Sequence, residues 1–572
     1  MRQTQWMLYT KRADFQSLAA RFSISPMLAR IMVNRGLREE EFDEYLHGTM
    51  EDIPDAKLLR GAESAVQLLL NKRNAGKKIR VIGDYDIDGV CASYILVRGL
   101  QAVGCAVDFD IPDRLTDGYG LSLRLIEAAV RDGIDTIVTC DNGIAAIREI
   151  EAARQAGLTV IVTDHHEVGH REDGREMLPP ADVVVDPKQE GCTYPFPAIC
   201  GAVVAWKLVG LLYEQLALPK DAWEAFLPFA AIATIGDVMP LQKENRIIVR
   251  EGLKRAASLD NIGFQKLAEL CKLDLGCLNP YHIGFVIGPC LNAGGRLESA
   301  KVGLNMLLET DPSEAERAAK HLKALNDERR SMTDQGVQAA AEQLEGLASI
   351  PQIILIYLPG CHESVAGIIA GKLRERYYRP SFVLTDSADP ELVKGSGRSI
   401  PGYHMFHGLE GCADLLIKFG GHPAAAGLTL NRRDIPALRA RLNEKAHLTE
   451  ECLTEKIWID IPLPFSYVDE ALIRELALIG PFGQGNPAPL FAQKNVRILS
   501  HRIFGSKRNV IKMQLRGEDG SVAEGLAFGD GDRFLQELEK SRFLDLLYAP
   551  EIDSYMGRNT IQLRLKGWKF HP

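Results

Sequence analysis

An α/β protein is predicted from this sequence: a parallel-sheet domain, a second α/β domain joined to it by a long helix, and a C-terminal β domain. Three observations carry the prediction. Residues 79–186 alternate short apolar runs with helical patterns, the rhythm of a parallel sheet covered by helices. Residues 312–347 are rich in Ala, Glu, Lys, Gln and Leu, with no Gly before Gly336 and Gly346, which reads as one long solvent-exposed helix, with an ordinary packed helix as the alternative because Ala and Leu recur on one face. Strand and helix patterns then return over 350–446, and after residue 455 the period drops to two. The 572 residues divide into an N-terminal helical segment (1–55), the first α/β domain (56–310), the connecting helix (311–349), the second α/β domain (350–446) and the β domain (455–572).

Composition narrows the class. The longest apolar stretch, Ala225 to Gly236, contains Pro228 and falls short of the roughly 18 to 20 residues of a bilayer span, so it reads as buried core. Met1-Arg2-Gln3-Thr4-Gln5-Trp6 lacks the pattern of a signal peptide. A cytoplasmic location without membrane partners is expected. Eleven cysteines without a C-x-x-C pair suggest small buried hydrophobes rather than a disulfide framework or zinc ribbon. A net charge of −9 argues against a general nucleic-acid coat but leaves room for a local basic groove.

In the first α/β domain, Ile79 to Gly83, Val107 to Ile111, Asp135 to Thr139, Leu158 to Thr163 and Asp182 to Val185 read as strands, and Val90 to Leu100 as a helix. Chemically loaded residues follow three of these strands: Asp84, Asp86 and Asp88; then Asp141; then Asp164, His165 and His166. Ligand sites gather at the carboxyl ends of strands in such sheets. The triple-Asp turn taken alone supports two readings equally, a metal site or an acidic turn capping the helix through Asp88. Asp237 follows the apolar run and reaches the same mouth if that run packs beside the sheet. Acids and imidazoles without cysteine suit Mn²⁺ or Mg²⁺, and the number of candidate ligands suits two ions sharing a carboxylate. Such a pair clamps the attacking and leaving oxygens of a displacement at phosphorus, so phosphoester hydrolysis is the expected chemistry.

Gly395-Ser396-Gly397-Arg398-Ser399 reads as a Gly-rich loop that combines small residues, exposed backbone N–H groups, hydroxyls and one guanidinium, the chemistry of a phosphate cradle, with an ordinary turn as the alternative. In the β domain Ile511, Met513 and Leu515 alternate with Lys512, Gln514 and Arg516, and the stretch from His501 to Arg516 carries five Lys/Arg and no acid, with Phe504 available for stacking.

These motifs resemble the DHH phosphoesterase superfamily, and within it the RecJ family of bacterial single-strand-specific exonucleases. The resemblance rests on Gly83 to Gly89, Ile111 to Arg114 with Gly118-Tyr119-Gly120, Thr139 to Gly143, Thr163 to His166 and Ile235 to Asp237. It continues through Gly288 to Leu297, Lys394 to Ile400, Phe419 to Gly427 and Gly480 to Pro487, the later segments being the more specific. The resemblance implies a DHH catalytic domain, a DHHA1 domain and an OB fold. It implies that Asp86, Asp88, Asp141, His165 and Asp237 hold two ions, with Asp84 in or beside that shell, Asp141 as the bridge and His166 orienting the scissile phosphate. His422 would sit over the ions from the second domain. Ser396 and Arg398, with Arg114, would bind the terminal 5′-phosphate, and Arg296, Lys512 and Arg516 are expected to bind the DNA strand or its phosphates. This sequence departs from the family pattern at Cys290, where Arg is usual, at Gly294, where Ala is usual, and at Cys361-His362-Glu363-Ser364, where the family has Trp-His-x-Gly.

The implied function is 5′-to-3′ hydrolysis of single-stranded DNA in repair and recombination, with Mn²⁺ or Mg²⁺ as cofactor. A ring-like arrangement of the two α/β domains and the OB fold would exclude duplex. The expected partners are single-stranded DNA, a single-strand-binding protein and a helicase. Two rivals have distinct signatures. A phosphodiesterase for short oligonucleotides or cyclic dinucleotides has no use for the long C-terminal β region, and a non-catalytic strand-binding scaffold has no need of a complete acid and imidazole set.

Overall fold

A computed structural model describes residues 3–114, 117–118, 120–553 and 560–571; Tyr119 of the Gly118–Gly120 motif lies outside them. The chain forms two compact units, one of residues 1–5, 55–237 and 252–456, the other of residues 6–54, 238–251 and 457–572. Among the described residues no helix is long and apolar enough to cross a membrane. None of the eleven cysteines is in a disulfide.

The first unit contains two sheets. The five strands of the catalytic-domain sheet lie in the order Ala106–Asp110, Lys78–Ile82, Thr136–Cys140, Thr159–Thr163, Val183–Val185, every neighbouring pair parallel. Ile79, Val81, Ile137, Val138, Val160 and Ile161 are fully buried. Helices cover both faces of such a sheet, which is why its central strands read as unbroken apolar runs. The apolar run near residue 230 is the helix Leu227–Gly236, with Pro228 tolerated in its first turn. It packs against the helix Ile87–Ala102, where a Cβ on Gly236 would lie 2.5 Å from Ile87 Cγ2.

The long helix spans Pro312–Glu345, capped by Asp311, whose carboxylate accepts the Ser313 and Glu314 N–H groups. The expectation that it is solvent-exposed is corrected. Ala315, Ala319, Leu322, Ala340, Ala341 and Leu344 form a buried stripe along it. Ala340 and Leu344 share a core with Ile354, Val365 and Ile369 of the second α/β domain. Alanines at helical spacing let neighbouring backbones approach, so a composition that looks polar overall still carries a packing face.

The second domain's sheet runs Lys418–Gly421, Ala425–Asn431, Leu392–Arg398, Ser381–Asp386, Ile354–Tyr357, with only the last pair parallel. Helix Glu363–Tyr377 follows its first strand and is capped by His362, whose Nδ1 accepts the Ser364 N–H at 3.3 Å. His362, the imidazole this chain keeps of the family's Trp-His-x-Gly pattern, therefore works as a helix cap.

In the second unit, strand Phe491–Phe504 pairs with both Val510–Arg516 and Phe543–Asp553, while Val522–Phe528 meets Thr560–Phe570 in parallel. These pairings close a five-stranded barrel, the OB fold, which leaves few free strand edges. The N-terminal helices have no core separate from it: Leu28, Ile31, Met32 and Phe42 share one cluster with Ile511, Leu515, Phe534 and Tyr548.

Candidate metal centre and phosphate pocket

Strand Lys78–Ile82 has Ala106–Asp110 on one side and Thr136–Cys140 on the other, so the crossovers reverse direction between the first and third strands in sequence. This switch point opens a crevice at the strands' carboxyl ends. Asp84, Asp86 and Asp88 enter it from one strand and Asp141 from the next.

Asp86 and Asp88 are each held by backbone N–H groups. Asp86 is the N-cap of helix Ile87–Ala102, accepting the Asp88 and Gly89 N–H groups at 2.9 and 3.2 Å. The capping residue is therefore Asp86 rather than Asp88. Asp88 reaches across to a second helix, Gly201–Gln215, and accepts the Gly201 and Ala202 N–H groups at 2.7 and 2.8 Å. A carboxylate oxygen carries two lone pairs, so a cap and a metal ligand are compatible on one side chain. Gly89 permits this turn to close: a Cβ there would lie 2.4–2.6 Å from the Asp84 backbone. Asp141 sits at φ 60°, a left-handed conformation that Asp tolerates better than most residues.

Imidazole meets these acids from the next strand end. His165 Nε2 lies 3.1 Å from Asp141 Oδ1, 3.5 Å from Asp88 Oδ2 and 3.7 Å from Asp237 Oδ2. Three ligand sets converge: Asp84, Asp86 and Asp141; Asp88, His165 and Asp237; Asp141, His165 and His166. Within each, the donor atoms lie within 4.8 Å of one another, and Asp141 and His165 each belong to two sets. The crevice thus unites every residue expected to hold the ions.

The electrostatics are those of a cation site. Burial, then the neighbouring Asp86, pushes Asp84 up to about 8; burial, then Asp88, pushes Asp237 up to about 8. Burial and the surrounding carboxylates also raise Asp86 and Asp141. Burial lowers His165, favouring the neutral ring that a metal requires. Among the described residues, Asp84 Oδ1 and both ring nitrogens of His165 are buried without a hydrogen-bond partner. Buried polar atoms normally have partners, so an oxygen- and nitrogen-rich basin of this kind fits hard divalent cations.

Asp164 organises the same loop. Its Oδ1 accepts the His165 N–H at 2.7 Å and lies 2.7 Å from His166 Nδ1, while Oδ2 accepts the Ile144 N–H at 2.9 Å. For His166, burial opposes protonation, but the Asp164 hydrogen bond and charge outweigh it and raise the imidazole to about 9. The Asp164 carboxylate thus favours the protonated form of the His166 ring in the metal-free chain. Asp164→Asn is expected to return the His166 titration, followed by NMR, toward its ordinary value near 6.5, and to lower activity about 10- to 100-fold. An unchanged titration would show that Asp164 is not what charges the ring.

The phosphate-cradle motif is a strand rather than a loop. Residues 392–398 pair on both sides, with Ser381–Asp386 and Ala425–Asn431, so sheet pairing occupies the backbone on which a cradle of N–H groups would depend. Strand alternation decides the chemistry instead. Gly395 and Gly397 pack inward, where a Cβ would lie 2.3 Å from Leu384 Cδ2 or 2.6 Å from the Phe382 ring. Lys394, Ser396 and Arg398 take the opposite face. Lys394 and Ser396 line a cavity of about 470 Å³ together with Arg114, Lys418 and the first turn of helix Glu363–Tyr377. A helix N-terminus adds positive potential to such a cavity.

Arg114 stacks over the Tyr85 ring at 4.9 Å. Its loop is pinned by Asp117, which accepts the Asp113 N–H and Arg124 Nε, both at 2.8 Å. Arg296 donates to Ser364 O at 2.9 Å, and burial together with Arg114, Arg329 and Arg398 holds it down at about 10. Clustered buried guanidiniums that depress one another create a site where an anion is strongly favoured.

Some sequence expectations land elsewhere. His422 lies exposed between strands Lys418–Gly421 and Ala425–Asn431 and belongs to none of the three ligand sets. Cys290 is buried against the long helix, where its Sγ accepts from Asn326 Nδ2 at 3.4 Å. Gly294 has no room for the usual Ala, since a Cβ would lie 2.9 Å from Ser299 O. On the barrel, Lys512 is paired with Glu524 at 2.6 Å and Arg508 with Asp532 at 2.9 Å, so the stretch that looks uniformly basic is partly neutralised by neighbouring elements. Arg516 lies in register with Arg497, and both line a second cavity.

Three residues escaped the sequence reading. Arg329 is on the long helix, where nothing local marks it. Lys418 precedes a Gly-rich hairpin. Asp186 directly follows strand Val183–Val185, fully buried and raised by burial to about 7; the strand-end rule would have found it.

Fold and site together define a phosphoesterase of the DHH class. Family profiles described as "DHH family, N-terminal domain", "DHHA1 domain" and "RecJ OB domain" match residues 78–234, 351–448 and 459–567. This chain belongs to the RecJ family of single-stranded-DNA-specific exonucleases: it is 35% identical over 555 residues to the RecJ of Bacillus subtilis (96% of this chain, 69% of that protein) and 33% identical over 564 residues to the RecJ of Salmonella typhimurium (94% and 95%). The crystal structure of RecJ from Thermus thermophilus in complex with Mn²⁺ superposes with a TM-score of 0.84 at 28% identity, covering 100% of this chain and 80% of that one.

Proposed function

We propose that this chain is a 5′-to-3′ exonuclease that hydrolyses single-stranded DNA with two Mn²⁺ or Mg²⁺ ions held by Asp84, Asp86, Asp88, Asp141, His165 and Asp237. The observation that carries it is the convergence of three ligand sets on shared Asp141 and His165. When bound, the ions supply activation of the attacking water and neutralisation of charge on the phosphate and leaving oxygens. The chain's own groups do the rest. Asp141 belongs to two sets and would be the ligand shared by the two ions. His166, charged through Asp164, donates a hydrogen bond toward the scissile phosphate and orients it.

Polarity follows from the second domain. Arg114 and Ser396 line an anion site that suits a terminal 5′-phosphate, with Arg296 and Arg398 clustered beside Arg114; Lys418 adds charge to the cavity, and Lys394 contributes after exchanging Glu363, its partner at 3.0 Å, for phosphate. On the barrel, Arg516 with Arg497 carries the strand-binding role, and Lys512 contributes after exchanging Glu524 for phosphate. Single strands require unwinding and protection, so a helicase and a single-strand-binding protein are the proposed partners, in cytoplasmic DNA repair and recombination.

Arg398→Ala tests the polarity assignment. A hydrogen bond to a charged group contributes about 1.5–3 kcal/mol, so the preference for a 5′-phosphorylated over a 5′-hydroxyl strand should fall about 10- to 100-fold. Competition between the two strands measures it, and an unaltered preference would remove Arg398 from the role.

A further inference from the structure

One helical run, residues 280–297, links the phosphate pocket to a pair of exposed aromatic rings. Its last turn carries Arg296, bonded to Ser364 O at 2.9 Å and crowded by Arg114 and Arg398. From residue 288 to residue 295 it passes over the metal-site turn: a Cβ on Gly295, in the last turn, would lie 2.3 Å from Tyr85 O, and one on Gly288 would lie 3.2 Å from Ile87 Cδ1. Its first turns include a π-helical segment, Ile283–Ile287, which rests on the helix that ends at Asp237, with Gly284 facing Ile235. π-Segments are rare and recur at functional sites.

On the outer side of that segment stand Tyr281 and Phe285, 61% and 71% exposed. Their rings stack on each other with centroids 5.1 Å apart and planes 25° from parallel. Core packing does not explain them: Ile283 and Ile287 fill the inner side, fully buried. Two large rings held face to face in water cost hydrophobic free energy unless something covers them.

We propose that Tyr281 and Phe285 form a stacking platform for a base of the bound single strand, a few nucleotides downstream of its 5′ end. This rests on the exonuclease reading above, and the helix supplies the distance. Eleven residues separate Phe285 from Arg296, about 16 Å at the rise of an α-helix. A strand advances about 3.4 Å per nucleotide when stacked, and roughly twice that when extended. With the terminal phosphate at the Arg296 end, the rings therefore meet the second to fifth nucleotide, and the scissile bond lies between the two ends. Arginines grip the phosphate at one end and uncharged rings accept any base at the other, which suits an enzyme that must process every sequence.

The test is a cycle of two proteins and two strands. Wild type and Phe285→Ala, both full length, are each given a 5′-phosphorylated 20-nucleotide strand, either intact or with abasic sites at positions two to five. Wild type should bind the intact strand about tenfold more tightly, the size of one lost base–aromatic stack. Phe285→Ala should bind both alike, at the wild-type level for the abasic strand, and Phe285→Trp should restore the preference. Equal loss on both strands, or a preserved preference in Phe285→Ala, overturns the platform. Failure of wild type to bind or degrade either strand refutes the exonuclease reading instead.

Discussion

Asp141→Asn and Asp141→Ala should each lose Mn²⁺-dependent release of mononucleotides by at least about 10³-fold, a barrier increase of about 4 kcal/mol. Asp141 belongs to two of the three ligand sets and lies 3.1 Å from His165 Nε2. Removing its carboxylate therefore damages two ion positions at once. The Asn variant separates chemistry from conformation. Asn accepts the left-handed φ of 60° that Ala resists, and it keeps the side chain's volume beside Gly201. Single-strand binding, measured by anisotropy, should remain detectable in both, because the arginine pocket and the barrel are untouched. A wild-type rate in Asp141→Asn would refute the metal assignment.

The second large effect is on stability. Asp84 and Asp237 have folded-state values of about 8 against an ordinary 3.8. Between about pH 4 and pH 8 the metal-free folded chain holds protons that the unfolded chain has released. Stability therefore falls as pH rises through that window, since the unfolded state binds fewer protons. Bound cations reverse the sign, because ligands must be deprotonated and metal affinity climbs with pH. The melting temperatures with Mn²⁺ and with chelator should be close near pH 5 and diverge toward pH 8. An ion at 100 times its dissociation constant contributes about 2.7 kcal/mol. Parallel pH curves with and without Mn²⁺ would mean that these acids do not bind the ion.

Much of the site was legible in one dimension because strand-end geometry is local. A strand of apolar residues followed at once by Asp or His places that side chain at the sheet's mouth, and the turn at 84–88, Asp141, His165 and His166 all obey this rule. Boundaries shifted by only a residue or so, as in Lys78–Ile82 against the expected Ile79 to Gly83. The long helix and the recurrence of Ala and Leu on one face of it were legible from composition, but what buries that face was not, because its partners Ile354, Val365 and Ile369 come from later in the chain.

The Gly395–Ser399 motif shows where local reading fails. Alternating glycines suggested a loop, yet here they relieve crowding against Leu384 and Phe382 inside a paired strand. The charge run in the barrel failed for a related reason: Glu524 and Asp532, which neutralise Lys512 and Arg508, are remote in sequence and adjacent only through sheet register and a helix start.

Residue chemistry and periodicity alone establish a parallel sheet bearing acids and imidazoles at its mouth, a second α/β domain and a C-terminal β domain. Those properties depend on neighbours within a few residues. The tertiary structure decided what depends on distant segments: that Asp86 caps one helix while Asp88 caps another, that Asp141 is shared between two ligand sets, and that Arg296 bonds to Ser364 of the second α/β domain. Distances between such groups are set by packing, and no spacing along the chain encodes them.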